Sequence, residues 1–73
     1  MIPLTEQLAE AKREMAMRKN VYPRLVQEGR KGWTMPIARQ RIETMEAIVE
    51  TLERQVALEE ASNDLFGRES KEV

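Results

Sequence analysis

Apolar residues recur along two stretches of the chain with the alternating spacing of three and four that is typical of amphipathic helices. The first stretch predicts a helix over about residues 4–28, with Thr5 as its N-cap. Pro23 cannot donate an N–H to the carbonyl of Lys19, so we expect a kink near Pro23. The spaced positions are Leu4, Leu8, Ala11, Met15, Arg18, Tyr22 and Leu25, of which only Arg18 is polar and charged.

The second stretch predicts a helix over about residues 35–61, with Thr34 as its N-cap. Between the stretches, Gly29 suits the left-handed position that follows a helix, and Gly32 adds a second permissive residue. A short turn makes consecutive helices antiparallel neighbours, so the predicted fold class is an all-α, coiled-coil-like antiparallel helical hairpin. The spaced positions of the second stretch are Met35, Ala38, Ile42, Met45, Val49, Leu52 and Val56.

The periodic pattern stops at Ser62, which predicts a hairpin over residues 1–61 and a flexible C-terminal tail over residues 62–73. A chain this short buries only about 60% of its unfolded surface, so its own core is small. The second helix also carries more apolar surface than one partner helix can cover. We therefore expect self-association, most simply a homodimer that closes into a four-helix bundle. The extra apolar positions are Ile37, Ile48 and Leu58.

Composition limits the chemistry that the chain can perform. Cysteine and histidine are absent, which excludes disulfides, thiolate or imidazole metal ligands, and histidine-based catalysis. We predict no catalytic residue, no metal site, no cofactor and no enzymatic activity. No segment approaches the roughly 20 apolar residues of a membrane span, and the first residues lack the pattern of a signal peptide. A cytoplasmic protein with no membrane partner is expected.

Charge is distributed unevenly, although the net charge is −1. Residues 12–41 carry nine basic side chains against two acids, whereas residues 42–73 carry nine acids against three basic side chains. In the hairpin, much of the basic block gathers at the turn, beside two aromatic residues. The candidate residues for binding an anion or a partner are Arg18, Tyr22, Arg24, Arg30, Lys31, Trp33, Arg39 and Arg41.

Two interpretations of the basic turn stay open. Guanidinium groups beside aromatic faces hold phosphates or stack bases, and the helix N-terminus near Thr34 also favours anions. In the other interpretation, the basic turn of one subunit meets the acidic open end of a second subunit in an antiparallel dimer, without any ligand.

Arg18 and Trp33 each have two interpretations as well. Arg18 either forms a partly buried ion pair with Glu46 or Glu50 that fixes the register, or contacts a ligand. Trp33 either caps the end of the bundle by packing on Tyr22 or Ile37, or anchors an interface, a role in which Trp is enriched.

The segments REMAMRKNVYPRLVQEG, residues 13–29, and PIARQRIETMEAIVETL, residues 36–52, resemble a family of small uncharacterised proteins encoded by phages and prophages. The turn departs from the family pattern at Lys31, Gly32 and Trp33. The resemblance implies a phage origin, a location in the host cytoplasm and a two-helix architecture, and it transfers no activity and no site. The matching positions are Met17, Arg18, Val21, Tyr22, Pro23, Val26 and Gly29, then Ala38, Ile42, Met45, Ala47 and Ile48.

These features predict a small phage-type protein–protein interaction module that binds or inhibits a larger host or phage protein. The alternative is an anion, nucleotide or nucleic-acid binder that uses the basic, aromatic-bearing turn, for example to sequester a nucleotide signal.

Overall fold

The computed structural model contains two α-helices, α1 over Leu4–Gln27 and α2 over Met35–Glu72. It describes the backbone of residues 1–72 and the side chains of residues 1–63. The two helices pack against each other, and the described backbone contains no strand. Ion pairs join Lys12 to Glu53 and Lys19 to Glu46, so the helices run antiparallel. The predicted all-α hairpin is confirmed.

The first helix begins at Leu4, two residues before the Glu6 start that a Thr5 cap would give, so that predicted cap is wrong. Pro3 occupies the N-cap position with φ −59° and ψ 151°, and its carbonyl accepts the N–H groups of Glu6 and Gln7, both at 3.1 Å. The proline ring holds φ near the helical value while ψ stays extended, which is the N-cap geometry. Pro23 lies inside α1, which continues through it to Gln27, and the predicted kink stays a prediction.

The turn is built from two hydrogen-bonded motifs. Gly29, at φ 70°, donates its N–H to the carbonyl of Val26, and Arg30 donates to Leu25, the pattern of a Schellman motif. Trp33 then donates its N–H to the carbonyl of Arg30 at 3.0 Å, with Gly32 at φ 86° in the third position of a type II turn. Both left-handed positions fall on the glycines that the sequence offered.

The second helix begins where it was predicted to begin. The carbonyl of Thr34 accepts the N–H of Ala38 at 2.9 Å, and its hydroxyl oxygen accepts the N–H of Ile37 at 3.4 Å. Thr34 therefore satisfies one of the backbone donors that the first turn of a helix leaves without a partner.

The predicted end of the second helix at residue 61 is wrong, because α2 continues to Glu72. Apolar periodicity shows where a helix is covered, whereas helix propagation requires only a further backbone hydrogen bond per residue. At 1.5 Å per residue, α1 is about 36 Å long and α2 about 57 Å, so α2 overhangs α1 by about 20 Å. The predicted flexible tail, residues 62–73, falls mainly on residues whose side chains lie outside the described part, and its flexibility stays a prediction.

The core between the helices is small. The buried apolar residues are Ala11, Ala38, Met45 and Val49, and no polar side chain in the described part is buried. Met15 packs against the cluster that contains Val49. Leu8 and Leu52 pack against the same cluster from either helix.

Ion pairs close one side of the seam between the helices. The Nζ atom of Lys12 lies 3.7 Å from a carboxylate oxygen of Glu53, and that of Lys19 lies 3.8 Å from Glu46. All four side chains are about half exposed, so each pair contributes less than about 1 kcal/mol. At 100° per residue, Ile48 lies on the opposite side of the seam from these acids, and no cross-helix ion pair forms there among residues 1–63.

Gly29→Ala should lower the free energy of unfolding by about 1 kcal/mol, because an L side chain is strained at positive φ. No atom lies within 4 Å of the added Cβ, so the cost is conformational and not steric. Urea unfolding followed by helical circular dichroism, at one protein concentration, measures it. Lys31→Ala, in the same turn, is the control, and an equal loss in both variants would contradict the assignment.

Candidate functional site

Two aromatic rings meet at the turn end of the hairpin. The ring centroids of Tyr22 and Trp33 are 4.5 Å apart, and the ring planes are inclined by 47°. Tyr22 projects from the last turns of α1, and the type II turn directs Trp33 back toward it; both side chains are half-buried. The structure thus shows Trp33 packed on Tyr22, one of the two interpretations that the sequence left open. Whether Trp33 also anchors an interface stays a prediction.

Two arginines flank this aromatic pair. The Cζ atom of Arg18 lies 5.8 Å from the centroid of Tyr22, and that of Arg41 lies 5.9 Å from the centroid of Trp33. Arg18 also donates from Nη1 to the carbonyl oxygen of Arg41 at 2.9 Å, which links the two helices. We call Arg18, Tyr22, Trp33 and Arg41 the arginine–aromatic cluster. Cation–π contacts of this kind contribute about 0.5–1 kcal/mol when exposed.

The partner predicted for Arg18 is wrong. Its Nε atom donates to Glu14 on the same helix at 3.0 Å, and not to Glu46 or Glu50. Glu46 pairs instead with Lys19, and the Oε1 atom of Glu50 lies 3.9 Å from the Nη2 atom of Arg54. Rotation about the helix axis explains the difference, because Glu46 and Glu50 lie on the side of α2 away from Arg18.

The remaining predicted site residues surround the turn and are exposed. Arg24 donates to the side-chain oxygen of Asn20 at 3.4 Å, and Arg30 pairs with Glu28 at 3.1 Å. No carboxylate among residues 1–63 lies within ion-pair distance of four of the cationic side chains. These four are Arg24, Lys31, Arg39 and Arg41.

The N-terminus of α2 adds to this positive potential. Its first turn contains no acidic residue, so no side chain of that turn offsets the partial positive charge of the helix end. The hydroxyl oxygen of Thr34 accepts one of the backbone N–H groups at this helix end, that of Ile37. The turn end is therefore cationic through both its side chains and its backbone.

A second surface, which sequence reasoning identified only in part, lies along α2 on the side of the seam without ion pairs. Its members are spaced by seven, four and three residues, a helical spacing that adds two threonines to the isoleucines noted in the sequence. Thr44 and Ile48 line an apolar groove with Ala47 and Thr51. Ile48 is 43% exposed and Ile37 is 37% exposed. We call the stripe formed by Ile37, Thr44, Ile48 and Thr51 the open face.

Neither helix has, within residues 1–72, a stretch long and apolar enough to cross a membrane. No group of three or more potential metal-ligating side chains occurs in the described residues. Comparisons with protein-family models, with curated proteins and with solved structures find no match. The resemblance to phage-encoded proteins therefore stays a prediction from the sequence.

The contact between Tyr22 and Trp33 should give a coupling free energy of about 0.5–1.5 kcal/mol in a double-mutant cycle. The cycle uses Tyr22→Leu, Trp33→Leu and the double variant, with unfolding in urea as the measurement. Trp33→Leu combined with Met17→Leu is the control, because Met17 projects away from the aromatic pair and the two changes should add. A coupling below about 0.3 kcal/mol for the first pair would mean that the rings do not interact in solution.

Proposed function

We propose that this chain is a small helical interaction module that binds, and thereby inhibits or recruits, a larger protein. In this proposal two hairpins pair into a four-helix bundle, the protein is of the kind that phages encode, and it acts in the cytoplasm of the host. The observation that carries the proposal is the cationic turn end, in which two arginines are held against two packed aromatic rings.

Pre-organisation makes this cluster suitable for binding. Arg18 is fixed by Glu14, by the carbonyl of Arg41 and by the ring of Tyr22, and its side chain is only 22% exposed. An arginine that is already ordered loses less conformational entropy when a partner binds. Arginine, tyrosine and tryptophan are also the residues that dominate the energetics of protein interfaces.

The shape of the molecule favours a macromolecular partner. The hairpin is a rod of 64 × 17 × 17 Å, and the cationic side chains project from its turn end. Exposed cations at the end of a narrow rod can meet an acidic surface on a larger protein, and the depression that Arg18, Gln40 and Arg41 line there can receive one of its side chains. Arg24, Lys31 and Arg39, which have no acidic neighbour among residues 1–63, are free to meet carboxylates on such a surface.

One observation favours a second candidate function, binding of a phosphate-bearing ligand such as a nucleotide or nucleic acid. Arg39 and Arg41 lie within the first two turns of α2, whose N-terminus carries no acid. A helix N-terminus together with guanidinium groups attracts phosphate. Arginines lie over the rings of Tyr22 and Trp33, so stacking a base would require them to move, and phosphate is the group that this site suits.

Arg39→Glu should reduce capture of the partner about tenfold or more, since it places a like charge opposite the partner's acids. The wild-type chain and the variant are immobilised, and proteins captured from a bacterial lysate are quantified by mass spectrometry. Arg54→Glu is the matched control, because it changes the same charge on the same helix far from the turn. A protein captured equally by all three baits, or by none, would contradict the proposed role of the turn.

The phosphate candidate predicts a steep dependence on salt. Five phosphate contacts would weaken binding to duplex DNA by on the order of 10²–10³ between 50 and 200 mM salt. The fluorescence of Trp33, the single tryptophan, reports binding directly because Arg41 lies over its ring. If neither an oligonucleotide nor pyrophosphate changes the fluorescence at low salt, this candidate is eliminated and the protein-binding proposal is unaffected.

A further inference from the structure

The four residues of the open face are uncharged, unlike those on the other side of α2. Arg41, which is charged, lies beside the open face near the turn. The other side of α2 carries Glu46 and Glu53, which close the seam with cross-helix ion pairs. An amphipathic helix with apolar residues on two adjoining stripes is built to contact two partners.

The two threonines of the open face can be buried without a polar penalty. Thr44 donates its hydroxyl to the carbonyl of Gln40 at 2.8 Å, and Thr51 donates to Ala47 at 3.0 Å. Because these hydroxyls are bonded within their own helix, covering them does not leave an unpaired donor. The open face is therefore easier to desolvate than its composition suggests.

The exposed area of the hairpin indicates that a partner of substantial size covers it. The solvent-accessible area is 6032 Å², whereas a compact chain of 8.5 kDa exposes about 4,650 Å². The excess is about 1,400 Å², and a standard protein interface removes about 800 Å² from each partner. One interface along the open face would remove a little more than half of this excess, and the elongated shape of the rod contributes to the rest.

The charges beside the open face select the orientation of a second copy. Toward the turn end lies Arg41, which has no acidic neighbour in the described part of the chain. Toward the open end, Glu6 and Glu10 line the groove that runs beside Ile48. Arg13 lines the same groove and donates to Glu10 at 2.9 Å, which lowers the pKa of that carboxyl below its usual value, whereas Glu6 has no ion-pair partner among residues 1–63.

A parallel pair of hairpins would place the two copies of Arg41 together and the two acidic rims together. An antiparallel pair would place the Arg41 of each copy at the acidic rim of the other, which is favourable. Ile48 is the natural centre of such a pair, because it lines both apolar grooves and is more exposed than Ile37, the other isoleucine of the open face. A two-fold axis makes the residue at its centre contact its own copy.

We infer that a second copy of this chain covers the open face in antiparallel orientation, with Ile48 at the two-fold axis and Arg41 beside the acidic rim of its partner. This inference rests on the dimer in the proposed function and adds its surface, its orientation and its charge pairing.

Single-cysteine cross-linking tests this arrangement directly, because the natural chain contains no cysteine. Ile48→Cys should form a disulfide-linked dimer under mild oxidation at least about tenfold faster than Ile37→Cys, since a disulfide requires Cβ atoms within about 4.5 Å. Residue 37 lies eleven residues from the axis at Ile48, so in the antiparallel pair its two copies are about 33 Å apart and Ile37→Cys should stay unlinked. Glu50→Cys, on the other side of α2, is the second control and should stay unlinked as well.

A mixed experiment fixes the orientation. Arg41 and Gln55 lie seven residues on either side of Ile48, so Arg41→Cys mixed with Gln55→Cys should cross-link, while neither variant links to itself.

Ile48→Glu should weaken self-association in light scattering by about tenfold or more, because it buries an unpaired charge. Its circular dichroism should be unchanged, since Ile48 is not part of the core of one hairpin.

Self-linking of Ile37→Cys would show a parallel pair and overturn the inference. If the wild-type chain is a stable dimer but Ile48→Cys does not link, the interface lies elsewhere. That result would overturn the inference and leave the proposed dimer intact. A wild-type monomer at high micromolar concentration would remove the dimer altogether. Capture of a partner through the turn is measured separately with Arg39→Glu, so failure of the partner-binding proposal is distinguishable from each of these results.

Discussion

A helix packed against one neighbour can bury only the stripe that faces it, and in this hairpin that stripe supplies a core of four buried residues. The small side chains of Ala11 and Ala38 let the helices approach closely, and Met45 and Val49 fill the space between them. So small a core gives modest stability to a chain of this length. Ile37 and Ile48 of α2 lie on a second stripe, which one hairpin leaves exposed.

The turn determines how the two stripes and the charged residues are placed. The Schellman motif at Gly29 and the type II turn at Gly32 reverse the chain within a few residues, so the register of the seam follows from the turn. The same geometry brings Trp33 onto Tyr22 and brings the carbonyl of Arg41 within reach of Arg18. One short segment thus sets both the packing of the helices and the arrangement of the cationic end.

The two sides of the seam have different roles. Lys12 and Lys19 close one side with exposed ion pairs to α2, which add little stability but keep that side polar. On the other side α2 presents the uncharged side chains of the open face, and the charged residues that line the adjoining groove, Arg13 and Glu14 among them, come from α1. Because of this difference, the open face is suited to packing against a second pair of helices. The cationic turn end is left available for another molecule.

Much of this structure follows from the sequence alone. Local conformation and periodicity, which neighbouring residues encode, determine three features: the start of α2 at Met35, the two glycines at positive φ and the residues of the seam. The end of α2 was missed because the apolar pattern reports the length of the covering helix, and α1 is shorter than α2. The partner of Arg18 was missed because it depends on how each helix is rotated about its axis, which a periodic pattern specifies only coarsely. Only the tertiary structure, in which both rotations are fixed by packing, decided that Arg18 meets Glu14 and the Arg41 carbonyl, and that the side of Ile48 stays open.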